Sequence, residues 1–93
     1  MNLHDRRRLL VRINDLQGEV VPLEQAEDYA RRFVPVDAVL VDGPDRNARM
    51  GSVDVVFWHE SFEDVPQNAL VPAKAVNWDF DWCPSHVKGE GGV

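Results

Sequence analysis

The run Val-Asp-Val-Val-Phe-Trp at positions 53–58 constrains the fold more than any other stretch of this chain. β-Branched and aromatic side chains dominate it, which is typical of a β-strand. Successive side chains of a strand point to opposite faces of its sheet. The face that we predict to be core carries Val53, Val55 and Phe57. The other face carries Asp54, Val56 and Trp58. Because two of these three are large and apolar, we expect the N-terminal segment or a partner to cover them.

Length and composition indicate one small folded unit. A chain of 93 residues has room for one hydrophobic core, so we expect a single globular domain over residues 1–83 and a flexible Gly-rich tail over 84–93. With 44% apolar and 28% charged residues, the composition is that of an ordinary globular protein. Cys83 is the single cysteine, and neither a signal-peptide pattern nor a long apolar span is present. We therefore expect a cytoplasmic monomer or homodimer with no membrane association.

The formal net charge of −6 is unevenly distributed along the chain. Residues 1–49 carry eight Arg against nine acids, whereas residues 50–93 carry two Lys against seven acids. A protein that binds nucleic acid through its overall field is expected to show the opposite balance. The acidic second half therefore favours a partner with a basic surface.

Two interpretations remain open for residues 2–17. We prefer a helix that begins after Asn2 and ends at Gly18, because apolar residues recur in it at helical spacing. The alternative is a strand over residues 9–14, in which apolar and polar side chains alternate. Periodicity does not decide between the two in so short a run.

The segment from Pro22 to Phe33 has the pattern of an amphipathic helix. Proline suits the first helical position, acids lie near the start, and two Arg lie near the end. Pro35 ends the helix and directs the chain into an extended conformation. The side chains that we predict to cover the sheet are Leu23, Ala26, Ala30 and Phe33.

Two further strands flank the central one in the predicted fold. The first spans residues 36–41, is expected to be buried on both sides, and leads into a long hairpin loop over 42–52. A single 3₁₀ turn over 65–72 then precedes a last strand over 75–82. In that last strand one face carries Trp78, Phe80 and Trp82, and the other carries Asp79 and Asp81.

These elements predict an α+β protein, with one or two N-terminal helices packed on a small antiparallel β-sheet or SH3-like barrel over about residues 36–82. Residues 60–64 are predicted to form another turn or a short edge strand. Over residues 36–80 the order of strand, long loop, strand, short strand, turn and strand resembles that of small SH3-like barrels such as Tudor or KOW modules. The resemblance lies in the order of elements alone. It implies no particular function, because such barrels serve many unrelated binding roles.

Residues with catalytic or metal-binding chemistry are few and poorly spaced. The acids that neighbour His59 after the central strand are Glu60, Glu63 and Asp64. A second His four residues on, which a zinc-binding helix would need, is missing, so we interpret this stretch as a solvated turn. Cys83 and His86 form only half of a zinc site, and no Ser/His/Asp arrangement is indicated. We therefore predict no metal, no cofactor and no enzymatic activity.

Basic residues cluster in two places. The denser cluster is Arg6, Arg7, Arg8 and Arg12. Arg46 and Arg49 lie in the predicted 42–52 loop, which lacks the Gly-Lys-Ser/Thr ending of a phosphate-binding loop. Both clusters would contribute to an alternative function, that of a nucleic-acid-associated module.

The preferred hypothesis, a protein-interaction module, is based on tryptophans that lie close to acidic residues in the sequence. Trp58 and Trp82 are the two that we expect to be least enclosed, and exposed Trp is frequent at binding hot spots. The same rings would form an aromatic cage for a cation if three of them converged. We predict a small acidic, non-enzymatic protein-interaction module that binds a basic protein surface, including an accessory or mobile-element protein that presents acids in place of phosphates. The predicted partner-binding residues are Trp58, Trp82, Asp54, Asp79, Asp81, Arg46 and Arg49.

Overall fold

A computed structural model describes residues 6–82. Its helical segments are α1 (Leu23–Ala30) and a 3₁₀ turn (Arg31–Phe33). Its strands are β1 (Arg8–Asn14), β2 (Val39–Asn47), β3 (Ser52–Trp58) and β4 (Ala73–Asn77). The four strands form one sheet in the order β2-β3-β1-β4, in which β3 is antiparallel to β1 and β2 while β4 is parallel to β1. No helix in this part of the chain is long and apolar enough to cross a membrane.

The predicted α+β class with a small sheet is confirmed. The sheet is mixed rather than antiparallel, because β4 runs in the same direction as β1. It is open, with β2 and β4 at its edges, so the SH3-like barrel is not confirmed. The predicted tail over 84–93, which includes His86, lies outside the described residues, as does Cys83.

The preferred N-terminal helix is wrong, because its middle forms strand β1. Val11 and Ile13 lie opposite Val55 and Val53 of β3, and all four are fully buried. The backbone groups of β3 need hydrogen-bonding partners on both sides, and β1 supplies one of the two neighbouring strands. Residues 8–14 therefore form a strand because they pair with β3, about forty positions further along the chain. Local periodicity does not reveal such a long-range pairing.

The helix predicted over 22–33 is confirmed as α1 and the 3₁₀ turn that follows it. Ala26 and Ala30 are buried, as predicted, and Phe33 packs against the core while partly exposed. Leu23 is exposed, contrary to prediction. Its place in the core is taken by Tyr29, whose hydroxyl donates a hydrogen bond to the main-chain oxygen of Asn77 at 2.9 Å.

Strand β2 starts later and ends later than predicted. It continues through most of the predicted loop, so that only residues 48–51 form the hairpin turn. Two register shifts against β3 accommodate the extra residues. At the second shift Gly43 adopts a positive φ of 89°, where an added Cβ would lie 2.5 Å from the Asp54 main-chain oxygen. Because β2 is an edge strand, the expected burial on both sides is wrong: Val39 and Val41 are exposed.

Strand β4 ends at Asn77, so the strand predicted over 75–82 is wrong in its second half. Asp79 turns the chain instead: its carboxylate accepts the Asp81 main-chain N–H at 3.0 Å, and its carbonyl accepts the Trp82 N–H at 2.9 Å. Trp78 is buried and Phe80 exposed, so these rings do not share a strand face. The predicted 3₁₀ turn over 65–72 is a loop with one turn, closed by a hydrogen bond from Ala69 N to Pro66 O at 3.0 Å.

The core lies between α1 and one face of the sheet, which we call the covered face. The prediction that Val53, Val55 and Phe57 point into the core is confirmed, because all three are 0% exposed. The core cluster also includes residues of β1, of α1 and of the connections, namely Val11, Ile13, Val21, Ala26, Tyr29, Ala30, Ala38 and Trp78.

Candidate functional site

No helix or strand within residues 6–82 lies over the other side of the sheet, which we call the open face. Strand register arranges its residues in four rows. The first row is Val39, Trp58 and Arg8. The second row is Asp42, Val56, Leu10 and Ala73. The third row is Asp45, Asp54, Arg12 and Ala75. The fourth row is Asn47, Ser52, Asn14 and Asn77. The open face therefore changes from largely apolar at the Trp58 end to wholly polar at the Asn77 end.

The first two rows form the apolar part of the open face. Trp58, Leu10 and Val56 are half-buried, and Val39 is 48% exposed. The indole Nε1–H of Trp58 is enclosed and donates to no acceptor among the described residues. The exposed part of this indole is therefore ring carbon. A contiguous apolar patch with charged side chains at its border is the usual composition of a protein-binding surface.

The third row is built around a bidentate ion pair. Arg12 donates from Nε and Nη2 to the two Asp54 carboxylate oxygens at 3.0 and 3.1 Å. The hydrogen bonds and charge of Asp54 raise the pKa of Arg12 above its ordinary value, so the guanidinium stays charged. Asp42 of the second row and Asp45 of the third row make no ion pair within residues 6–82. The β2 side of the open face is therefore acidic.

The structure separates the two tryptophans that were predicted to share a surface. Trp58 and Asp54 lie on the open face, whereas Asp79, Asp81 and Trp82 follow the far end of β4. The rows of Trp58 and Asn77 are six residues apart along β1, which is about 20 Å. Trp82 packs on the Tyr29 ring at 5.1 Å, on the helix side of the sheet. The predicted set is thus divided between two regions.

Three rings do converge around Trp82, as an aromatic cage requires, but a cation of the same chain already occupies the position. The Arg32 guanidinium lies 5.1 Å from the Tyr29 ring centre, 5.8 Å from that of Phe33 and 5.9 Å from that of Trp82. Cation–π contacts of this kind stabilise the packing of the 3₁₀ turn against the end of β4. The cluster acts structurally in this arrangement.

Of the two arginines in the predicted 42–52 loop, Arg46 has partners inside the protein. Arg46 forms an ion pair with Asp15 at 3.4 Å and donates to the main-chain oxygen of Val21, which fixes the connection between β1 and α1. Arg49 lies in the exposed turn between β2 and β3. Residues 6–12 belong mainly to a strand, so their side chains alternate between faces and form no continuous basic surface.

The structure also contains a Ser-His-Asp arrangement that the sequence does not indicate. His59 Nε2 lies 2.7 Å from an Asp37 carboxylate oxygen, and His59 Nδ1 lies 2.7 Å from Ser61 Oγ. Nδ1 also accepts the Ser61 main-chain N–H at 3.1 Å, so Nε2 is the nitrogen that donates to Asp37. The Phe62 N–H, which would serve an oxyanion, donates to His59 O at 3.1 Å. These bonds tie the chain after α1 to the end of β3.

Asp37 stands 22 positions before His59, which explains why spacing gave no signal for this cluster. Within residues 6–82, no group of three or more His, Cys, Asp or Glu side chains is arranged to hold a metal ion.

Comparison with protein-family models, curated proteins and solved structures finds no match to this chain. Function must therefore be inferred from the surfaces themselves.

Proposed function

We propose that this chain is a non-enzymatic protein-interaction module whose open face binds a partner protein with a basic surface. The observation that carries the proposal is the sheet face that no helix or strand of residues 6–82 covers, where Trp58 presents ring carbon beside Leu10, Val56 and Val39. A two-layer α/β arrangement buries only one side of its sheet. A third layer supplied by a partner would remove the exposed apolar area from water.

The charges of the open face favour a basic partner. Asp42 and Asp45 border the apolar rows on the β2 side, while Arg12 and Asp54 largely neutralise one another. Complementary charge at the border of an interface accelerates association and excludes wrong partners more than it adds affinity. Trp58, near the middle of the apolar rows, is the side chain expected to contribute most binding energy.

The charges of the chain support this function over a nucleic-acid-associated one. Arg12 and Arg46 are both engaged in ion pairs, and the overall charge is −6. Binding to phosphates would require these arginines to exchange carboxylate partners for phosphate. A nucleic-acid-binding protein would be a suitable partner, because its phosphate-binding site is basic. Asp42 and Asp45 of this chain would bind that site in place of phosphates.

Comparative capture tests the proposal. Wild type, Trp58→Ala and Phe80→Ala are immobilised in parallel and exposed to lysate of the source cell, and each retained protein is then purified and titrated. Phe80 is the matched control, because it is an exposed aromatic residue outside the open face. We expect a basic protein that binds wild type and Phe80→Ala alike and binds Trp58→Ala at least about tenfold more weakly.

Two results would contradict the proposal. One is a partner that Trp58→Ala retains with wild-type affinity. The other is direct binding of the chain to duplex or single-stranded nucleic acid that weakens steeply from low to high salt, which would favour the nucleic-acid-associated module instead.

A further inference from the structure

The two edges of the sheet differ in their ability to accept another strand. The outer edge of β2 is interrupted by two register shifts and by Pro44, and it carries Asp42 and Asp45. Bulges, proline and charge are the devices by which natural sheets prevent pairing at an edge. The β2 edge is therefore protected.

The outer edge of β4 has neither a bulge nor a proline, and Lys74 is the one charge within the strand. The hydrogen bonds from Leu10 N to Pro72 O and from Trp78 N to Asn14 O show that positions 72 and 78 face β1. By the alternation of a parallel ladder, the main-chain groups of Ala73, Ala75 and Asn77 point away from the sheet. Of these groups, the Asn77 carbonyl accepts the Tyr29 hydroxyl, and no other described residue bonds the rest.

The side chains of β4 suit a close approach by another strand. Ala73 and Ala75 are small, exposed and free of charge. Asp79 and Asp81, which would protect this edge if the strand continued through them, lie in the turn beyond it. The one charge of the strand, Lys74, is directed over the Phe33 ring of its own chain at 5.9 Å.

We propose that β4 pairs antiparallel with β4 of a second copy of this chain, about a two-fold axis at Ala75. The outward-facing groups of Ala75 then bond those of Ala75 in the other copy, and Ala73 pairs with Asn77. Lys74 lies opposite Val76, so no like charges oppose one another across the pair. The strand is self-complementary in this register.

The protected β2 edge makes the association closed. Residues 6–82 of each copy offer a single edge that accepts a strand, so pairing through them ends at a dimer and does not continue into a fibre. The axis is perpendicular to the sheet, and both open faces lie on the same side of an eight-stranded sheet. The dimer would therefore present two copies of the proposed binding surface to one partner assembly, which raises its avidity.

Sedimentation equilibrium of the full chain tests this inference. We expect wild type to be dimeric at about 100 μM, with Ala75→Lys weakening the dimer at least about tenfold because two charges meet at the axis. Ala75→Pro removes an outward N–H without touching the ladder to β1 and is expected to act in the same direction. The control is Leu70→Lys, which adds the same charge at a position that is 94% exposed outside β4.

Amide exchange locates the contact. The N–H groups of Ala73 and Ala75 are expected to exchange more slowly in the wild-type dimer than in a folded Ala75→Lys monomer, with the fold checked by circular dichroism. A wild type that stays monomeric at ~100 μM, or a dimer that persists unchanged in both Ala75 variants, would overturn the proposal. Trp58→Ala should remain dimeric, so failure of the open-face proposal and failure of this one give different results.

Discussion

The two faces of the sheet are made from the same strands but differ in burial: one face forms the core, and the other is partly exposed. On the covered face, five side chains of β1 and β3 are 0% exposed, namely Val11, Ile13, Val53, Val55 and Phe57. Their neighbours along β1 and β3 lie on the open face, where, apart from the fully buried Ser52, they are partly exposed and include an ion pair. Alternation along a strand thus lets one short sequence supply the core and leave a second surface available for binding.

The first and largest prediction compares how much the free energy of unfolding depends on Phe57 of the covered face and on Trp58 of the open face. Phe57→Ala removes a fully buried ring beneath the Arg31 guanidinium, whose centre lies 5.2 Å away, and should destabilise the fold by about 3–5 kcal/mol. Trp58→Ala on the open face should cost about 1–2 kcal/mol, because the ring is already partly exposed. Urea denaturation of both variants measures the two values. Equal losses would show that the open face is part of the core.

The second prediction concerns the bulge that brings the acids of β2 beside the open face. Gly43→Ala places a Cβ 2.5 Å from the Asp54 main-chain oxygen at a positive φ, and it should destabilise by about 2 kcal/mol or more. Gly18→Ala is the matched control, because Gly18 also has a positive φ but has nothing within 4 Å of the added Cβ. Chemical denaturation should show a clearly smaller loss for Gly18→Ala. A Gly43→Ala variant as stable as its control would disprove this geometry of β2.

The sequence predicted the elements whose pattern is local. The alternation in 53–58 and the helical spacing in 22–33 were sufficient to predict β3 and α1. Strand β1 and the length of β2 were beyond such patterns. Both depend on pairing with β3, and Gly43 and Pro44 form a bulge within a strand instead of a loop.

The candidate site was less predictable than the fold. Trp58 and Asp54 share the open face, but Arg8, Asp42 and Asp45 join them only through strand register. Trp82 was grouped with Trp58 because both stand beside acids in the sequence. The turn at Asp79 sends it to the helix side, a local hydrogen-bonding choice that outweighs the alternation of the preceding strand.

The third prediction concerns the covered face at high pH. Burial is the largest influence on the Tyr29 hydroxyl, and it raises the pKa above the ordinary value of 10.0. The Arg32 charge lowers this pKa, the Asp79 charge raises it, and a hydrogen bond from the Asp79 main chain lowers it, so that the net shift is upward. Tyr29 in the unfolded chain therefore loses its proton first, and wild type should lose stability as the pH rises from about 10 toward the folded-state pKa. Tyr29→Phe should be about 1 kcal/mol less stable at neutral pH, and this gap should narrow above pH 10. A constant gap in urea midpoints would contradict the assignment.

The smallest expected effect belongs to the ion pair of the open face. In a double-mutant cycle of Arg12→Gln and Asp54→Asn, the coupling free energy should be about 0.5–1 kcal/mol, because both side chains remain partly exposed. The same cycle on Arg31 and Glu27, a pair four residues apart on the helix side, provides a comparison of similar exposure. A coupling of several kcal/mol would mean that the open face is shielded from water like the covered one.

Site-specific photo-crosslinking shows directly whether the open face is the surface that binds a partner. A photoreactive phenylalanine derivative replaces Val39 on the open face or, as the control, Phe80 outside it; these residues are 48% and 55% exposed. Irradiation in the source cell should join position 39 to a basic protein other than this chain and should give no such product from position 80. Products from position 80 alone, or the same products from both positions, would contradict the account of the open face as the binding surface.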